Sequence, residues 1–234
     1  MISNISIMPI KNMLKSALNI HNFSLRVILA TAIIGANGSG KSTLINTILG
    51  IREDYNVKAQ NNNIPYHNNI IPQRKQLGVV SNLFNYPPGL NANDLFKFYQ
   101  FFHKNCTPNL FEKNLLNKTY EHLSDGQKQH LKIDLSLSHH PQLVIMDEPE
   151  TSLEQNALIR LSNLISLRNT QQLTSVIATH DLIVLESCKW VLFLKNGNIA
   201  QYKPLNSILK SVAKTFNFKE KPTTKDLLAL LKDI

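Results

Sequence analysis

An apolar run from Val27 to Ile34 passes directly into Gly35-Ala36-Asn37-Gly38-Ser39-Gly40-Lys41-Ser42, and then into Leu44, Ile45, Ile48 and Leu49, which stand at helical spacing. Strand, glycine-punctuated turn and helix in that order are the context a phosphate-binding loop requires, and the octet satisfies its pattern in full. The chemistry explains the residue types. A polyphosphate needs several backbone N–H donors curled around it, and residues without a Cβ (Gly35, Gly38, Gly40) permit that curl. The positive end of the following helix points at the same charge. Lys41 then reaches the phosphates as a point charge and the Ser42 hydroxyl is available to Mg²⁺.

The rest of the chain is read against this loop. At 234 residues, with 43% hydrophobic and 18% charged side chains, the chain can bury a core without disulfides. Cys106 and Cys188 lie far apart with no CxxC and no Cys/His cluster, so neither a disulfide framework nor a zinc site is indicated, and a reducing compartment is expected. The longest apolar run, Val27 to Ile34, is well short of the roughly 20 residues that span a bilayer, and residues 1–12 lack the apolar core of a signal peptide. The net charge of +9 is compatible with nucleic acid, anionic lipid or nucleotide, but the basic residues are dispersed as on a solvated surface.

Before the loop, Ile5/Ile7 and Phe23/Leu25 alternate as short strands, with a small helix expected near Lys11 to Leu18. After the loop helix, Ile51 to Ile71 is Asn-rich and reads as loop and edge strand, and Leu77 to Val80 as a short buried strand. From Ala92 the spacing turns helical. Leu95, Phe98, Tyr99 and Phe102 form a core stripe at i, i+3, i+4, i+7, while Phe96 and Phe101 fall partly outside it and offer a groove for a partner helix. Leu123-Ser124-Asp125-Gly126-Gln127 carries a capping box between Ser124 and Gln127, so a helix should start there with N–H groups facing outward. The residues that follow, His130 to Ser138, nevertheless alternate as a strand does. Leu143 to Met146 is an apolar strand ending in Asp147-Glu148. Carboxylates at the end of a parallel strand beside a phosphate loop suit a Mg²⁺ ligand and a water-orienting base. Leu158, Leu161, Leu164 and Ile165 predict a helix, Ser175 to Thr179 a buried strand ending at His180-Asp181, and Val191 to Ala200 a hairpin turning at Asn196-Gly197. Thr223 to Ile234 predicts an amphipathic tail helix.

With the phosphate loop, LSDGQ, LVIMDEP and TH in that order, the chain resembles the nucleotide-binding subunit of the ATP-binding cassette (ABC) transporters over about Asn19 to Asn198. The resemblance implies an α/β fold, a P-loop NTPase cassette with a mostly parallel central sheet, an antiparallel β portion near the N-terminus and a helical subdomain. It implies one domain over 1–234, with a core at about 1–82 and 140–205, the helical subdomain at about 83–139 and a helical tail at about 206–234. It also makes 125–139 a helix against its own periodicity.

Position by position, the resemblance implies that Gly35, Asn37, Gly38, Gly40, Lys41, Ser42 and Thr43 cradle ATP and its Mg²⁺, and that Asp147 is the second Mg²⁺ anchor. Glu148 resembles the catalytic glutamate and His180 the switch histidine at the γ-phosphate. Ser124, Gly126 and Gln127 resemble the signature that completes a partner subunit's ATP site. Asn82 stands at the metal-contacting Q-loop position, one methylene shorter than the usual glutamine; Asp125 replaces a glycine and Glu154 an aspartate. No aromatic residue precedes Phe23, so the usual stacking platform for adenine is missing, and with it tight base selectivity. The interval between Lys41 and Ser124 holds a small helical subdomain and no long coiled coil, which argues against the DNA-repair branch of the family. The expected partners are separately encoded transmembrane permease subunits and a second ABC subunit, as homodimer or heterodimer, with no nucleic acid. The expected location is peripheral, on the cytoplasmic face of a membrane. The Pro222 to Ile234 pattern leans toward export. A nucleic-acid-associated ATPase and a weakly active regulatory subunit remain as alternatives.

Overall fold

Apolar strands flanked by amphipathic helices can bury both faces only as layers, and this chain does so around the larger of its two sheets. The computed structural model describes residues 4–9, 18, 23–26, 29–51, 55–60, 76–82, 84–103, 106 and 112–216. The smaller sheet is antiparallel: β1 (Asn4–Pro9) lies between β2 (Phe23–Arg26) and β4 (Tyr55–Gln60). Ile5 pairs with Leu25 and Ile7 with Phe23, so the two alternations read near the N-terminus form one ladder. The larger sheet contains β3 (Thr31–Ile34), β5 (Leu77–Val80), β6 (Leu143–Asp147), β7 (Thr174–Ala178), β8 (Trp190–Lys195) and β9 (Asn198–Pro204), in the order β5-β6-β7-β3-β8-β9. It is parallel as far as β8, and β9 returns antiparallel through Asn196 and Gly197, both at positive φ as a tight hairpin turn requires. The expected mixed sheet is therefore present. The described part of the first central strand starts at Thr31, with Leu29 in a bend before it.

Near-continuous apolar runs mark strands covered on both sides. Ile33, Ile145, Val176 and Leu192 point to one side, where they meet Leu44, Ile45 and Ile48 of α1 (Lys41–Ile48). Ile34, Val144, Met146 and Ile177 point to the other. There they meet Leu161 and Ile165 of α4 (Gln155–Thr170), Val184 and Leu185 of α5 (Leu182–Ser187), and Leu205 of α6 (Leu205–Phe216). Each fully buried Leu or Ile contributes about 1.5–3 kcal/mol, so these two layers supply most of what holds the sheet in place.

A third apolar cluster lies apart from the sheet. Ala92, Leu95 and Phe96 of α2 (Ala92–Phe102) meet Leu131 and Leu135 of α3 (Asp125–Leu137), with Tyr120 and Leu123 between them. Residues 112–123 are loop with two short 3-10 turns, Lys113–Leu115 and Tyr120–His122.

One expectation is revised, and the helix expected at 125–139 is present over Asp125–Leu137. The core stripe of α2 is Ala92, Leu95, Phe96 and Tyr99, one turn earlier than read; Phe98 and Phe102 are 60% and 48% exposed, and Phe101 is 85% exposed. The helix reaches the third cluster only as far as Tyr99, so Phe98, Phe101 and Phe102 face solvent. In α3 the alternation is real but does not make a strand. Leu131 and Leu135 face the third cluster, while Ile133 and Leu137 face the sheet, so two i, i+4 stripes on opposite sides interleave in the sequence. The small helix expected near Lys11 to Leu18 and the tail pattern of Pro222 to Ile234 lie almost wholly outside the described residues, Leu18 excepted.

Candidate functional site at the carboxyl ends of the central strands

β3, β6 and β7 run parallel side by side, so Gly35, Glu148 and Thr179, the residues just past or near their carboxyl ends, share one edge of the sheet. The loop Gly35 to Gly40 leaves β3 there. Gly35 is nearly extended; what it needs is space, since a Cβ would lie 2.3 Å from the Leu194 carbonyl oxygen and 2.6 Å from Ser39 Oγ. The β8–β9 hairpin thus presses the loop from one side, and its Gly197 N–H donates to the Ser39 carbonyl at 2.9 Å. Asn37 and Gly38 form the exposed crest. Gly40 caps α1, its carbonyl accepting from Leu44 N at 2.8 Å.

Lys41 is only 6% exposed, and its ammonium donates to the carbonyls of Gly35 at 3.0 Å and Ala36 at 3.3 Å. The charge therefore sits beneath the loop's arch, facing the volume the loop encloses. Burial lowers its pKa, and the nearby carboxylates of Glu148, Asp147 and Glu150 oppose that shift. Ser42 is exposed and its hydroxyl donates to the Asp147 carboxylate. Burial raises the pKa of Asp147, against that hydrogen bond and the Lys41 charge. Asp147 Oδ1 is buried without a hydrogen-bond partner among the described residues. An orphaned carboxylate oxygen beside a hydroxyl is a donor set that suits a small hard cation. Thr43 is half-buried in the first turn of α1, its carbonyl accepting from Thr47 Oγ1 at 2.8 Å.

Glu148 follows β6 with φ 48, a left-handed conformation that costs a non-glycine residue on the order of 1 kcal/mol. Its N–H donates to the Ala178 carbonyl at 2.9 Å, which ties the turn to β7. Its Oε1 lies 3.3 Å from His180 Nε2, and both side chains are partly exposed. The pairing of Glu148 with His180, which follow the adjacent strands β6 and β7, joins the two residues the resemblance made catalytic.

The signature residues lie elsewhere. Ser124 Oγ accepts from Gln127 N at 3.3 Å and Gln127 Oε1 accepts from Ser124 N at 3.1 Å, the reciprocal cap expected from their spacing. Gly126 lies against the Ser152 carbonyl, where a Cβ would come within 2.7 Å. Ser124 is exposed, and none of the hydrogen bonds described for these three residues reaches the phosphate loop. Asn82 follows β5 and opens onto a groove of about 590 Å³ with Asn85, Tyr86, Tyr120, Lys128 and Lys132. Among the described residues no hydrogen bond joins Asn82 to Ser42 or Asp147.

Two residues were not singled out from the sequence. Gln129, buried on α3, donates its Nε2 to the Pro149 carbonyl at 3.0 Å and so anchors the turn after Glu148. Glu150 accepts from both Thr179 Oγ1 and His180 N, at 2.8 and 2.7 Å, and burial raises its pKa. A third carboxylate in Asp-Glu-Pro-Glu was visible, but its partners stand some thirty residues downstream and nothing local points to them.

The sequence model of the ABC transporter family matches residues 18–151. The chain is 31% identical over 195 residues to the ABC transporter ATP-binding protein YxdL of Bacillus subtilis (strain 168), covering 76% of each. Among solved structures it is similar to an ATP-binding subunit of an ABC transporter, with a TM-score of 0.80 and 20% identity over 97% of this chain and 99% of that one. It is also similar to the dimeric cassette MJ0796, described as a bacterial ABC transporter cassette, with a TM-score of 0.71 and 22% identity over 86% and 98%. At that identity the two structures speak for the fold alone.

Proposed function

Because the chain belongs to the ABC transporter family and is a nucleotide-binding ATPase subunit, we propose that it closes with a second ABC subunit over two MgATP and drives separately encoded transmembrane subunits. The observation that carries this reading is the meeting of Glu148 and His180 beside the Lys41 loop, at the carboxyl ends of adjacent parallel strands.

In this reading the N–H groups of Gly38, Gly40, Lys41, Ser42 and Thr43 hold the phosphates, with Gly35 and Asn37 shaping the loop, and the Lys41 ammonium moves from the Gly35 and Ala36 carbonyls to the β- and γ-oxygens. Ser42 and Asp147, with Asn82 as a further contact, would hold Mg²⁺, with the unpartnered Asp147 Oδ1 as the oxygen left open to it. When bound, the ion draws charge off the phosphoryl oxygens. Glu148 orients the attacking water and takes up its proton as the bond to the γ-phosphorus forms. His180 donates to a γ-phosphate oxygen and keeps Glu148 pointed at the water. Ser124 is exposed, Gly126 and Gln127 are half-buried, and none of their described hydrogen bonds reaches their own phosphate loop, which supports their use at the site of the facing subunit. The triphosphate then holds the two subunits together, and its cleavage lets them part.

The division into a core at about 1–82 and 140–205, a helical subdomain at about 83–139 and a tail at about 206–234 is supported by the separate apolar cluster of α2 and α3. For docking of the membrane subunit we assign the exposed Phe98, Phe101 and Phe102 together with the groove opened by Asn82 and Asn85. No helix among the described residues is long and apolar enough to cross a membrane. In this reading the chain is held at the cytoplasmic face of the membrane by its transmembrane partners.

Glu148→Gln tests the mechanism. Hydrolysis is expected to fall by on the order of 10²–10⁴-fold, and light scattering after size exclusion should report a dimer in saturating MgATP and a monomer without it. A variant that stays monomeric in MgATP refutes closure for this chain on its own. Gentle detergent extraction of the tagged parent should bring down an integral membrane protein in stoichiometric amount.

A further inference from the structure

Glu150 has no part in the chemistry above, yet it is built into the place where that chemistry is assembled. Its Oε1 accepts from two consecutive residues, Thr179 Oγ1 at 2.8 Å and His180 N at 2.7 Å. Thr179 is fully buried, its N–H donates to the Ile33 carbonyl at 3.2 Å, and its Oγ1 accepts from Asp181 N at 3.0 Å. Asp181 in turn caps α5 by accepting from Ile183 N and Val184 N at 2.8 and 3.1 Å. The peptide that carries His180 is thus pinned on both sides. The imidazole itself is not: its side chain is 44% exposed, and its described partner is Glu148 at 3.3 Å, a long contact in reach of water. What sets the ring's position is therefore the backbone beneath it.

We propose that Glu150 is a positioning residue for His180, clamping the turn that bears the histidine to the turn that bears Glu148. The inference rests on the reading of His180 as the group at the γ-phosphate. Glu148 and Glu150 share one tight turn, in which Thr151 N donates to the Glu148 carbonyl at 3.1 Å and Leu153 N to the Glu150 carbonyl at 3.0 Å. Through Glu150 the two turns move as one body. One oxygen does the holding, since Glu150 Oε2 is buried with no hydrogen-bond partner among the described residues. An amide presents the same acceptor; a hydrocarbon side chain of similar size does not.

The test is steady-state ATP hydrolysis by the full chain carrying Glu150→Gln, Glu150→Leu, Thr179→Val, His180→Ala, and Glu150→Leu combined with His180→Ala. Glu150→Leu is expected to lower kcat by on the order of tenfold or more with KM within about twofold, the signature of a group displaced by a fraction of an ångström. Glu150→Gln should restore most of it, and Thr179→Val, which removes one of the two donors, should lose severalfold. In the double variant the Glu150 change should cost nothing beyond His180→Ala. A second readout needs no nucleotide: the imidazole C–H resonance of His180, identified by its absence in His180→Ala, should shift in Glu150→Leu and stay in Glu150→Gln. Additive losses in the double variant, a Gln variant as impaired as Leu, or an unmoved resonance in Glu150→Leu overturns the proposal. If Glu150→Leu fails to fold, Thr179→Val with parental kcat overturns it. His180→Ala with parental kcat refutes the role given to His180 instead, and the resonance still decides whether Glu150 positions it.

Discussion

A methyl group at Gly35 would meet the Leu194 carbonyl and the Ser39 hydroxyl together, and the first of these belongs to a hydrogen-bonded hairpin that cannot step aside. Gly35→Ala is expected to lower stability by about 1–3 kcal/mol in urea melts, as overpacking does. It should also abolish the rise in melting temperature that ATP produces, because the loop's entry moves. Lys41→Met separates those two effects: it keeps the side chain's bulk, so the free protein should melt within a few degrees of the parent while ATP no longer raises the transition. Base selectivity has a residue-scale expectation as well. With no aromatic residue before Phe23 to stack on adenine, GTP should bind within about tenfold of ATP in calorimetry, since the phosphates carry the affinity. A GTP affinity far below that for ATP contradicts this.

Among the elements, α3 has the most demanding position, and its residues can be tested one face at a time. Leu131→Ala and Ile133→Ala empty different clusters, and each should cost about 2–5 kcal/mol in a single cooperative transition. Phe101→Ser on α2 should change stability by less than about 0.5 kcal/mol yet weaken recovery of the membrane partner. The junction between the end of α2 and the end of α3 carries a pH dependence. The ring of His139 stacks on that of His103 at 4.0 Å, and burial, then the charge of His103, hold its pKa down at about 4. The unfolded chain takes up a proton near pH 6.5 that the folded chain refuses. Stability is therefore expected to fall as pH drops from about 6.5 toward 4, by on the order of 1 kcal/mol once solvent screening of the partly exposed ring is allowed for. His139→Phe should flatten that slope in urea melts at pH 7.5 and 5. These elements also show what a sequence can and cannot reveal. The phosphate loop, the cap at Ser124 and the hairpin at Gly197 are local in the chain, so their spacing alone identifies them. The stripe of α2 is ambiguous in the sequence because apolar residues fit helical spacing equally well at 92, 95, 96, 99 and at 95, 98, 99, 102, and only the reach of the third cluster chooses between them. The alternation in α3 misleads because neighbours in sequence belong to different cores. Glu150 stayed hidden because its partners are distant in the chain.

At the scale of the whole molecule, the residues with chemistry are gathered at one edge of the larger sheet, and the signature residues lie at the start of α3 with no described hydrogen bond to the phosphate loop. On the function proposed above, the same molecule offers two half-sites that face different neighbours, which is why dimer formation and hydrolysis are expected to rise together with MgATP concentration. α3 carries one of those half-sites at its start and divides its length between the sheet and the third cluster. That division has a consequence for descent and for engineering. A helical insert that packed only against itself could be exchanged between relatives by cutting the chain at its two ends. Here the seam between the two cores runs lengthwise along a helix, between Leu131 and Ile133 and again between Ile133 and Leu135, so no pair of cuts separates them. A chimaera that borrows residues 83–139 inherits a foreign Ile133 and Leu137 inside the host's own core, and it will be stable only if those two positions are returned to the host.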